Sequence, residues 1–290
     1  MILPFTKMHG LGNDFIVLDF TKQSYPLSAS VAVQLANRKT GIGCDQILIV
    51  EHSDQKDIDF KYRILNADGS EVNQCGNGAR CFALFVRDQG LTDKTLIRVE
   101  TNSGVITLDV NSPDRLVTVN MGVPEFAPDK IPILAAHKTK LYSVEIEQKT
   151  IEYAALSIGN PHAVICVDDI KNCSFEKLGP ALESNKIFPQ RANIGFMQIL
   201  DPQTIKLRVY ERGVGETLAC GSGACAAVIA GIQQGLLDNR VTVALAGGEL
   251  EINWSGVDSS VIMTGPATTV YRGEIELDLL QKTSANQRLS

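Results

Sequence analysis

Two cysteines, each followed by Gly-x-Gly-Ala, lie 145 residues apart in a chain of 290 residues, at Cys75–Ala79 and Cys220–Ala224. Apolar residues at helical spacing follow each motif, so each motif is predicted to begin a helix. The start of a helix presents free N–H groups and the positive end of the helix dipole, which bind carboxylates and lower the pKa of a cysteine placed there. Glycine costs about 1 kcal/mol relative to alanine inside a helix, so two glycines in the first turn indicate that a ligand approaches the backbone closely. Each motif therefore predicts a reactive sulfur beside a carboxylate-binding site.

Two such sulfurs suit the inversion of a carbon that carries a hydrogen. A thiolate on one face can remove the proton, a thiol on the other face can deliver one, and the N–H groups can stabilise the carbanion. Other interpretations remain open at this point. A thiol–disulfide oxidoreductase would need the sulfurs within bonding distance and would not explain the two carboxylate sites. A non-catalytic amino-acid-binding protein would not explain the cysteines. A proline-racemase-like enzyme acting on another amino acid shares the two-thiol chemistry.

The two motifs belong to a longer internal repeat. Aligned without a gap, residues 61–79 and 206–224 are identical at seven of 19 positions: Lys61/Lys206, Arg63/Arg208, Glu71/Glu216 and four positions of the motif. Two earlier matches occur in the same order, residues 42–48 with 194–200 and Gly12-Asn13 with Gly159-Asn160. The repeat predicts two related domains, whose pseudo-symmetry would direct both helix starts into one cleft.

Each half is predicted to be rich in strands with one prominent helix, which gives an α+β fold class. Strand patterns cover residues 15–19, 46–51, 60–65, 96–101, 105–110 and 116–120, and in the second half 164–167, 205–210, 241–246 and 249–253. Helical patterns cover residues 28–37, 76–88 and 221–233. We therefore expect two pseudo-symmetric domains, each a mostly antiparallel β-structure around a central helix, with the active site in the cleft between them.

The composition argues against several classes of protein. Hydrophobic residues make up 44% and charged residues 21%, as in globular proteins, and the net charge of −6 offers no basic surface to nucleic acid or to an anionic membrane. No apolar run has the length of a membrane span, and the first residues do not resemble a signal peptide, so we expect a cytoplasmic protein with reduced cysteines. The odd number of cysteines, seven, and the scattered histidines indicate neither a disulfide framework nor a metal site. Apart from the two motif cysteines, the others are predicted to pack as small apolar residues: Cys44, Cys81, Cys166, Cys173 and Cys225.

Several longer motifs resemble the diaminopimelate epimerase family. They are Met8-His9-Gly10-Leu11-Gly12-Asn13-Asp14-Phe15, Asn66-Ala67-Asp68-Gly69-Ser70-Glu71, Cys75-Gly76-Asn77-Gly78-Ala79-Arg80-Cys81, Gly159-Asn160-Pro161-His162, Glu211-Arg212-Gly213 and Glu216-Thr217-Leu218-Ala219-Cys220-Gly221-Ser222-Gly223-Ala224-Cys225. The resemblance extends to about Ile275. It implies an amino-acid epimerase that uses no pyridoxal phosphate or other cofactor and interconverts LL- and meso-diaminopimelate for lysine and peptidoglycan synthesis.

The resemblance also implies roles for individual residues. Cys75 is the expected proton donor and Cys220 the expected proton acceptor in the LL-to-meso direction, with His162 and Glu211 assisting them. The implied substrate-binding positions are Asn13, Gln46, Asn66, Gly76, Asn77, Asn160, Asn193, Glu211, Arg212, Gly221 and Ser222. Tyr271 matches a position associated with formation of a homodimer. Ser222 and Asn73 depart from the frequent threonine and acidic residue, and neither departure affects the expected chemistry.

These residue types suit a substrate with two amino-acid ends. Arg212 can bind the distal carboxylate through two hydrogen bonds, and Glu211 can pair with an ammonium group. The family pattern further implies that a strand at Thr268–Leu277 returns to the first domain. The expected domain bounds are therefore residues 1–118 with 267–290 for the first domain and residues 119–266 for the second.

Overall fold

A computed structural model describes residues 1–73, 75–110 and 113–278. The chain divides into two compact units, of which unit 1 comprises Met1–Val119 with Pro266–Ser290 and unit 2 comprises Asn120–Gly265. Residues 279–290 of the predicted first domain lie outside the described residues. Among the described residues, no helix has both the length and the apolar character needed to span a membrane.

The elements follow one another in this order: β1 (Ile2–Gly10), β2 (Asn13–Asp19), α1 (Ala29–Ala36), β3 (Gln46–Glu51), β4 (Phe60–Asn66), β5 (Glu71–Val72), α2 (Gly76–Asp88), β6 (Leu96–Thr101), β7 (Gly104–Asp109), β8 (Val117–Asn120), β9 (Tyr142–Ile146), β10 (Lys149–Ser157), β11 (Pro161–Cys166), α3 (Phe175–Glu183), β12 (Asn193–Asp201), β13 (Thr204–Glu211), β14 (Gly215–Glu216), α4 (Gly221–Gln233), β15 (Arg240–Leu245), β16 (Gly248–Asn253), β17 (Ile262–Gly265) and β18 (Thr268–Glu276).

The strands of the two units pair in the same order and with the same directions. In unit 1, β1–β2, β3–β4, β4–β5, β6–β7 and β7–β8 are antiparallel, whereas β2–β3 and β4–β6 are parallel. In unit 2, β10–β11, β12–β13, β13–β14, β15–β16 and β16–β17 are antiparallel, whereas β11–β12 and β13–β15 are parallel. The expected α+β fold, mostly antiparallel in each half, is therefore confirmed.

Each unit adds one strand outside the repeat. In unit 1, β18 pairs with β1 along almost its whole length, from Ile2 opposite Glu276 to His9 opposite Thr268. In unit 2, β9 pairs with β10. The chain thus leaves unit 1 after β8 and returns to it in β18.

The longest helix of each unit is buried on nearly every side. In α2, every residue from Asn77 to Val86 is buried, and in α4 the same is true from Gly223 to Gly231. A helix that must be buried all round needs small or apolar side chains on every face, and α4 meets this need with alanine, glycine, valine and isoleucine. In each unit a short antiparallel strand pair, β4–β5 or β13–β14, comes immediately before the helix.

Conserved geometry explains two identities in the repeat. In unit 1, the Nε of Arg63 donates to Glu71 at 3.0 Å, and in unit 2 the Nε of Arg208 donates to Glu216 at 2.6 Å. Each ion pair joins the strand before the cysteine helix to the short strand that leads into that helix. The two halves have therefore kept the same polar support for the cysteine turn.

Several elements were not expected from the sequence pattern. The long strand β1 contains Pro4, and α3 contains Gly179 and Pro180, which are residues that normally argue against these elements. In α3 the glycine is required by packing, because a Cβ at this position would lie 2.9 Å from the Tyr210 ring. Tertiary packing therefore overrides local propensity here.

Candidate active site

Cys75 is the N-cap residue of α2, the residue immediately before the first helical one. Its Sγ accepts a hydrogen bond from the backbone N–H of Gly78 at 3.4 Å. Gly78 has no room for a side chain, because a Cβ there would lie 2.3 Å from the hydroxyl of Tyr62. The second glycine of this motif is thus needed for the close approach of a strand side chain to the helix start.

A group of amide side chains surrounds Cys75. The Cys75 thiol donates to Oδ1 of Asn13 at 3.8 Å, and Nδ2 of Asn77 donates to the same oxygen at 3.3 Å. Gln46 and Asn66 form a second pair on the neighbouring strands β3 and β4, in which Nε2 of Gln46 donates to Oδ1 of Asn66 at 2.9 Å. Oε1 of Gln46 is buried and has no hydrogen-bond partner among the described residues. It is an acceptor that a ligand could satisfy.

Cys220 holds the equivalent position before α4, and it is only 4% exposed. Its Sγ lies 3.7 Å from Oγ of Ser222, which also accepts a hydrogen bond from Nδ2 of Asn160 at 3.3 Å. Burial and the charge of Glu211 raise the pKa of the Cys220 thiol well above its ordinary value, although Ser222 and the Gly223 N–H favour the thiolate. The lowered pKa that the helix start predicts is therefore wrong for Cys220, because desolvation and a neighbouring carboxylate outweigh the helix start.

His162 belongs to the same network in unit 2. Its Nε2 lies 3.0 Å from Oδ1 of Asn160 and 3.5 Å from Nδ2 of Asn193. Burial, assisted by the positive charge of Arg212, lowers the pKa of His162 to about 3. The imidazole is consequently neutral at physiological pH and can act as a hydrogen-bonding group without carrying a charge.

Glu211 and Arg212 lie where β13 ends. Oε1 of Glu211 accepts a hydrogen bond from the Thr217 hydroxyl at 2.5 Å. The backbone N–H of Arg212 donates to Oδ1 of Asn193 at 2.9 Å, and its Nη1 donates to the Gln190 carbonyl at 3.1 Å. The end of β13 thus places the Glu211 carboxylate beside the Cys220 thiol. It also places the Arg212 guanidinium beside the neutral His162.

The predicted site residues fall into groups within each unit. In unit 1, hydrogen bonds join Asn13, Cys75 and Asn77, and a separate bond joins Gln46 to Asn66. In unit 2, a continuous network contains Cys220, Ser222, Asn160, His162, Asn193 and Arg212. Tyr271 stands apart from both groups on β18, where it is 45% exposed and packs edge-on against Phe5.

Two charged residues beside Cys75 were missed by the sequence argument. Asp45 accepts a hydrogen bond from Nδ2 of Asn13 at 2.9 Å, and the fully buried Arg80 donates to Oδ1 of Asn77 at 2.9 Å. For Arg80 a signal was present, because an arginine in the middle of an apolar helix must find buried acceptors. Asp45 gave no comparable signal, since it lies before a strand where aspartate is ordinary.

The other cysteines also differ in burial from the prediction. All seven cysteines are free thiols. Cys44, Cys81 and Cys225 are buried as expected, whereas Cys173 is partly exposed and Cys166 is exposed at the end of β11. For Cys166 the packing prediction is wrong, because the last residue of the strand points away from the core. Among the described residues, no group of three or more His, Cys, Asp or Glu could hold a metal ion.

Comparison with known proteins identifies the family. The family model for diaminopimelate epimerase matches residues 5–127 and 154–270. The chain belongs to the diaminopimelate epimerase family. A diaminopimelate epimerase of Pseudomonas savastanoi pv. phaseolicola is 54% identical over 277 residues, covering 96% of this chain and all of the relative. Another, of Azotobacter vinelandii, is 56% identical over the same length and the same shares of both chains. The family resemblance that the motifs suggested is confirmed.

Solved structures extend the fold beyond this family. A probable proline racemase of Agrobacterium radiobacter K84 has a TM-score of 0.71 at 14% identity, covering 95% of this chain and 93% of that one. A phenazine biosynthesis protein of the PhzF family from Bacillus anthracis has a TM-score of 0.68 at 15% identity, covering 95% and 99%. At such identities the likeness concerns the fold alone. Members of the epimerase family thus share the duplicated architecture with proteins of different names.

Proposed function

We propose that this chain is a diaminopimelate epimerase that interconverts LL- and meso-2,6-diaminopimelate with two cysteines and without pyridoxal phosphate or a metal. Membership of the family makes the chain an isomerase. The observation that supports the substrate is identity of 54–56% over the full length of relatives bearing that name. The proline-racemase-like alternative has less support, because that likeness rests on 14% identity.

The neighbours of the two thiols support different roles for them. The thiol of Cys75 already donates a hydrogen bond to Asn13, which suits the group that delivers a proton. Cys220 must lose a proton before it can accept one, and Glu211 beside it is a carboxylate that can take that proton. The Cys220 thiolate then removes the α-hydrogen of the substrate, and Cys75 protonates the opposite face of the carbanion. The reverse reaction exchanges the two roles.

The remaining candidates suit recognition of the substrate. The backbone N–H groups of Gly76, Asn77, Gly221 and Ser222 would bind the carboxylate next to the reacting carbon and stabilise the charge that develops there. Arg212 would bind the distal carboxylate, and Glu211 an ammonium group. The side chains of Asn13, Gln46, Asn66, Asn160 and Asn193 would orient the rest without adding charge. His162, held neutral by burial, would support Asn160 and Asn193.

The decisive experiment removes each thiol in turn. We expect Cys75→Ala and Cys220→Ala each to lower epimerisation at least about a thousandfold, because each removes an obligatory acid or base. Incorporation of deuterium at the α-carbon in deuterated water measures the reaction. Cys166→Ala is the matched control, because this exposed thiol lies on β11 and has no assigned role. Substantial epimerisation by both motif variants would contradict the two-thiol mechanism.

We also propose that the protein forms a homodimer through β18. Val270 and Tyr271 on this strand expose 55% and 45% of their surfaces, as residues at an interface do. Tyr271→Ala should shift the protein toward monomer in sedimentation velocity. Leu134→Ala, which alters an exposed apolar residue of unit 2, should not. A parent protein that sediments as a monomer at micromolar concentration would contradict the dimer.

We further propose that the protein acts in the cytoplasm, where lysine and peptidoglycan precursors are made. Cell fractionation tests this location.

A further inference from the structure

A chain of hydrogen bonds with a fixed direction runs through the two asparagines beside Cys75. Nη2 of Arg80 donates to Oδ1 of Asn77, and Nδ2 of Asn77 donates to Oδ1 of Asn13. Nδ2 of Asn13 donates to Oδ2 of Asp45, whose Oδ1 accepts from Nη2 of Arg38 at 2.7 Å. All of these residues belong to unit 1.

The two ends of this chain determine which way each amide faces. An asparagine can in principle present either its oxygen or its nitrogen to a neighbour. A guanidinium can only donate, however, and a carboxylate can only accept. Arg80 therefore fixes the oxygen of Asn77 toward itself, and Asp45 fixes the nitrogen of Asn13 toward itself. What remains facing Cys75 is the oxygen of Asn13, which accepts from the thiol at 3.8 Å.

Both end groups are themselves firmly held. Arg80 is fully buried on α2, and its Nε also donates to the Pro266 carbonyl at 3.0 Å. Asp45 accepts a second hydrogen bond from the backbone N–H of Asp14 at 3.1 Å, and Arg38 binds both Asp45 and Asp14. Burial opposes the ionisation of Asp14, but Arg38 and Lys7 together hold its pKa well below the usual range. This acid–base cluster keeps Asp45 in place behind Asn13.

We propose that Asp45 and Arg80 are positioning residues of the epimerase, which act through Asn13 and Asn77 to hold an acceptor oxygen against Cys75 and so keep its sulfur protonated and aligned. The proposal rests on the proposed function of Cys75 as a proton donor. It adds two residues whose influence on the thiol passes through the side chains of Asn13 and Asn77. In unit 2 the equivalent of Arg80 is Cys225, so this device belongs to one thiol of the pair.

The pH dependence of Cys75 alkylation by iodoacetamide tests the proposal without relying on turnover. Cys75 is the single cysteine of the tryptic peptide 64–80, so mass spectrometry follows it in the full-length protein. In Asp45→Ala, the amide of Asn13 loses the acceptor that holds its nitrogen, and Asn77 alone still holds its oxygen. We expect the midpoint of alkylation to fall by about half a pH unit or more, because a hydrogen bond to the protonated form is weakened.

Two matched variants separate position from charge. Asp45→Asn removes the charge but keeps an oxygen that can accept from Asn13, so its midpoint should stay within about 0.2 pH units of the parent. The charge itself should matter little, since the Asp45 side chain is 45% exposed and is screened by water. Asp59→Ala controls for loss of a carboxylate elsewhere in unit 1, where Asp59 holds Lys94 and the N–H of Arg98.

Each outcome of the alkylation experiment either supports or overturns the positioning role of Asp45. A parental midpoint in Asp45→Ala would overturn the proposal, and equal shifts in Asp45→Ala and Asp45→Asn would assign the effect to charge and overturn it as well. If Asp45→Ala does not melt cooperatively, Asp45→Ser replaces it under the same criteria. Epimerisation by the parent is measured in parallel. Its absence would contradict the proposed function, whereas the alkylation comparison would still decide the role of Asp45.

Discussion

The two motif cysteines, Cys75 and Cys220, share a backbone setting but have different neighbours. Each precedes a helix that begins Gly-x-Gly-Ala, and each helix is preceded by the same arginine–glutamate pair. The surrounding side chains have diverged at matched positions of the repeat: Asn66 and Glu211, Asn77 and Ser222, Arg80 and Cys225. An acid and a base need different electrostatic environments, so divergence around a duplicated scaffold is what a two-thiol reaction requires.

A buried neutral histidine makes stability depend on pH. The pKa of His162 is about 3 in the folded chain, compared with about 6.5 when unfolded. Because the folded pKa is the lower one, the unfolded chain binds more protons as the pH falls below about 6.5, and stability is lost from there toward pH 3. Between pH 7 and pH 5, we expect His162 to account for a loss of up to about 2 kcal/mol. Urea midpoints at the two pH values measure this loss.

The contribution of His162 can be isolated with a substitution that does not titrate. His162→Gln keeps an N–H donor for Asn160, and it should lose less stability between pH 7 and pH 5 than the parent does. His52→Gln, which changes an exposed histidine, should behave like the parent. An identical loss in the parent and in His162→Gln would mean that His162 is protonated without cost in the folded protein.

At the scale of elements, the start of α2 is packed against a polar atom. The hydroxyl of Tyr62 is buried, has no hydrogen-bond partner among the described residues, and lies 2.3 Å from the position that a Cβ of residue 78 would take. We expect Gly78→Ala to destabilise the protein by about 1–3 kcal/mol through overpacking. Tyr62→Phe should be neutral or stabilise it by about 1 kcal/mol, because it removes an unsatisfied buried group. Chemical denaturation of both variants and of the double variant measures the coupling.

The double variant identifies the cause. If the clash is with the hydroxyl, Tyr62→Phe should recover much of the stability lost in Gly78→Ala. Tyr142→Phe is the control, since its hydroxyl accepts from the N–H of Thr139 at 3.4 Å and its removal should cost about 1 kcal/mol. Strict additivity of the two changes at residues 62 and 78 would show that the hydroxyl is not what excludes a side chain from residue 78.

These elements also show what can be read from a sequence of this kind. The helices Gly76–Asp88 and Gly221–Gln233 have the predicted bounds, because a strong apolar pattern and a cysteine–glycine start act together. In contrast, β1 and α3 depend on contacts made by distant parts of the chain, and no local sequence pattern predicts them. The predicted direction of the pKa shift of Cys220 was wrong for the same reason, because this shift depends on burial and on the neighbouring Glu211. The role of Asp45 could be recognised only in the structure, from the hydrogen bond that it accepts from Asn13.

At the scale of the whole molecule, the two units differ in how the chain builds them. Unit 2 is continuous from Asn120 to Gly265 and contains a core of its own, which includes Tyr153, Phe175 and Phe196. Unit 1 needs two segments, because β18 pairs along β1 and Leu277 joins the core that contains Leu3 and Ile16. A fragment that ends after β8 would therefore leave one side of β1 without its hydrogen-bond partner.

This difference predicts how the units behave when they are separated. Residues 120–265 should fold alone, whereas residues 1–119 alone should aggregate or melt without cooperativity, because the open edge of β1 can pair with other chains. The amino group of Met1 lies 2.5 Å from the carboxylate of Asp278, so a linker of about four residues can join these ends. A permuted unit 1 that runs from residue 266 to 278, through the linker, and then from 1 to 119 should regain a cooperative melt by circular dichroism. The same permutant with residues 266–278 replaced by a glycine–serine segment is the matched control, and a cooperative melt in that control would show that β18 is not required to complete unit 1.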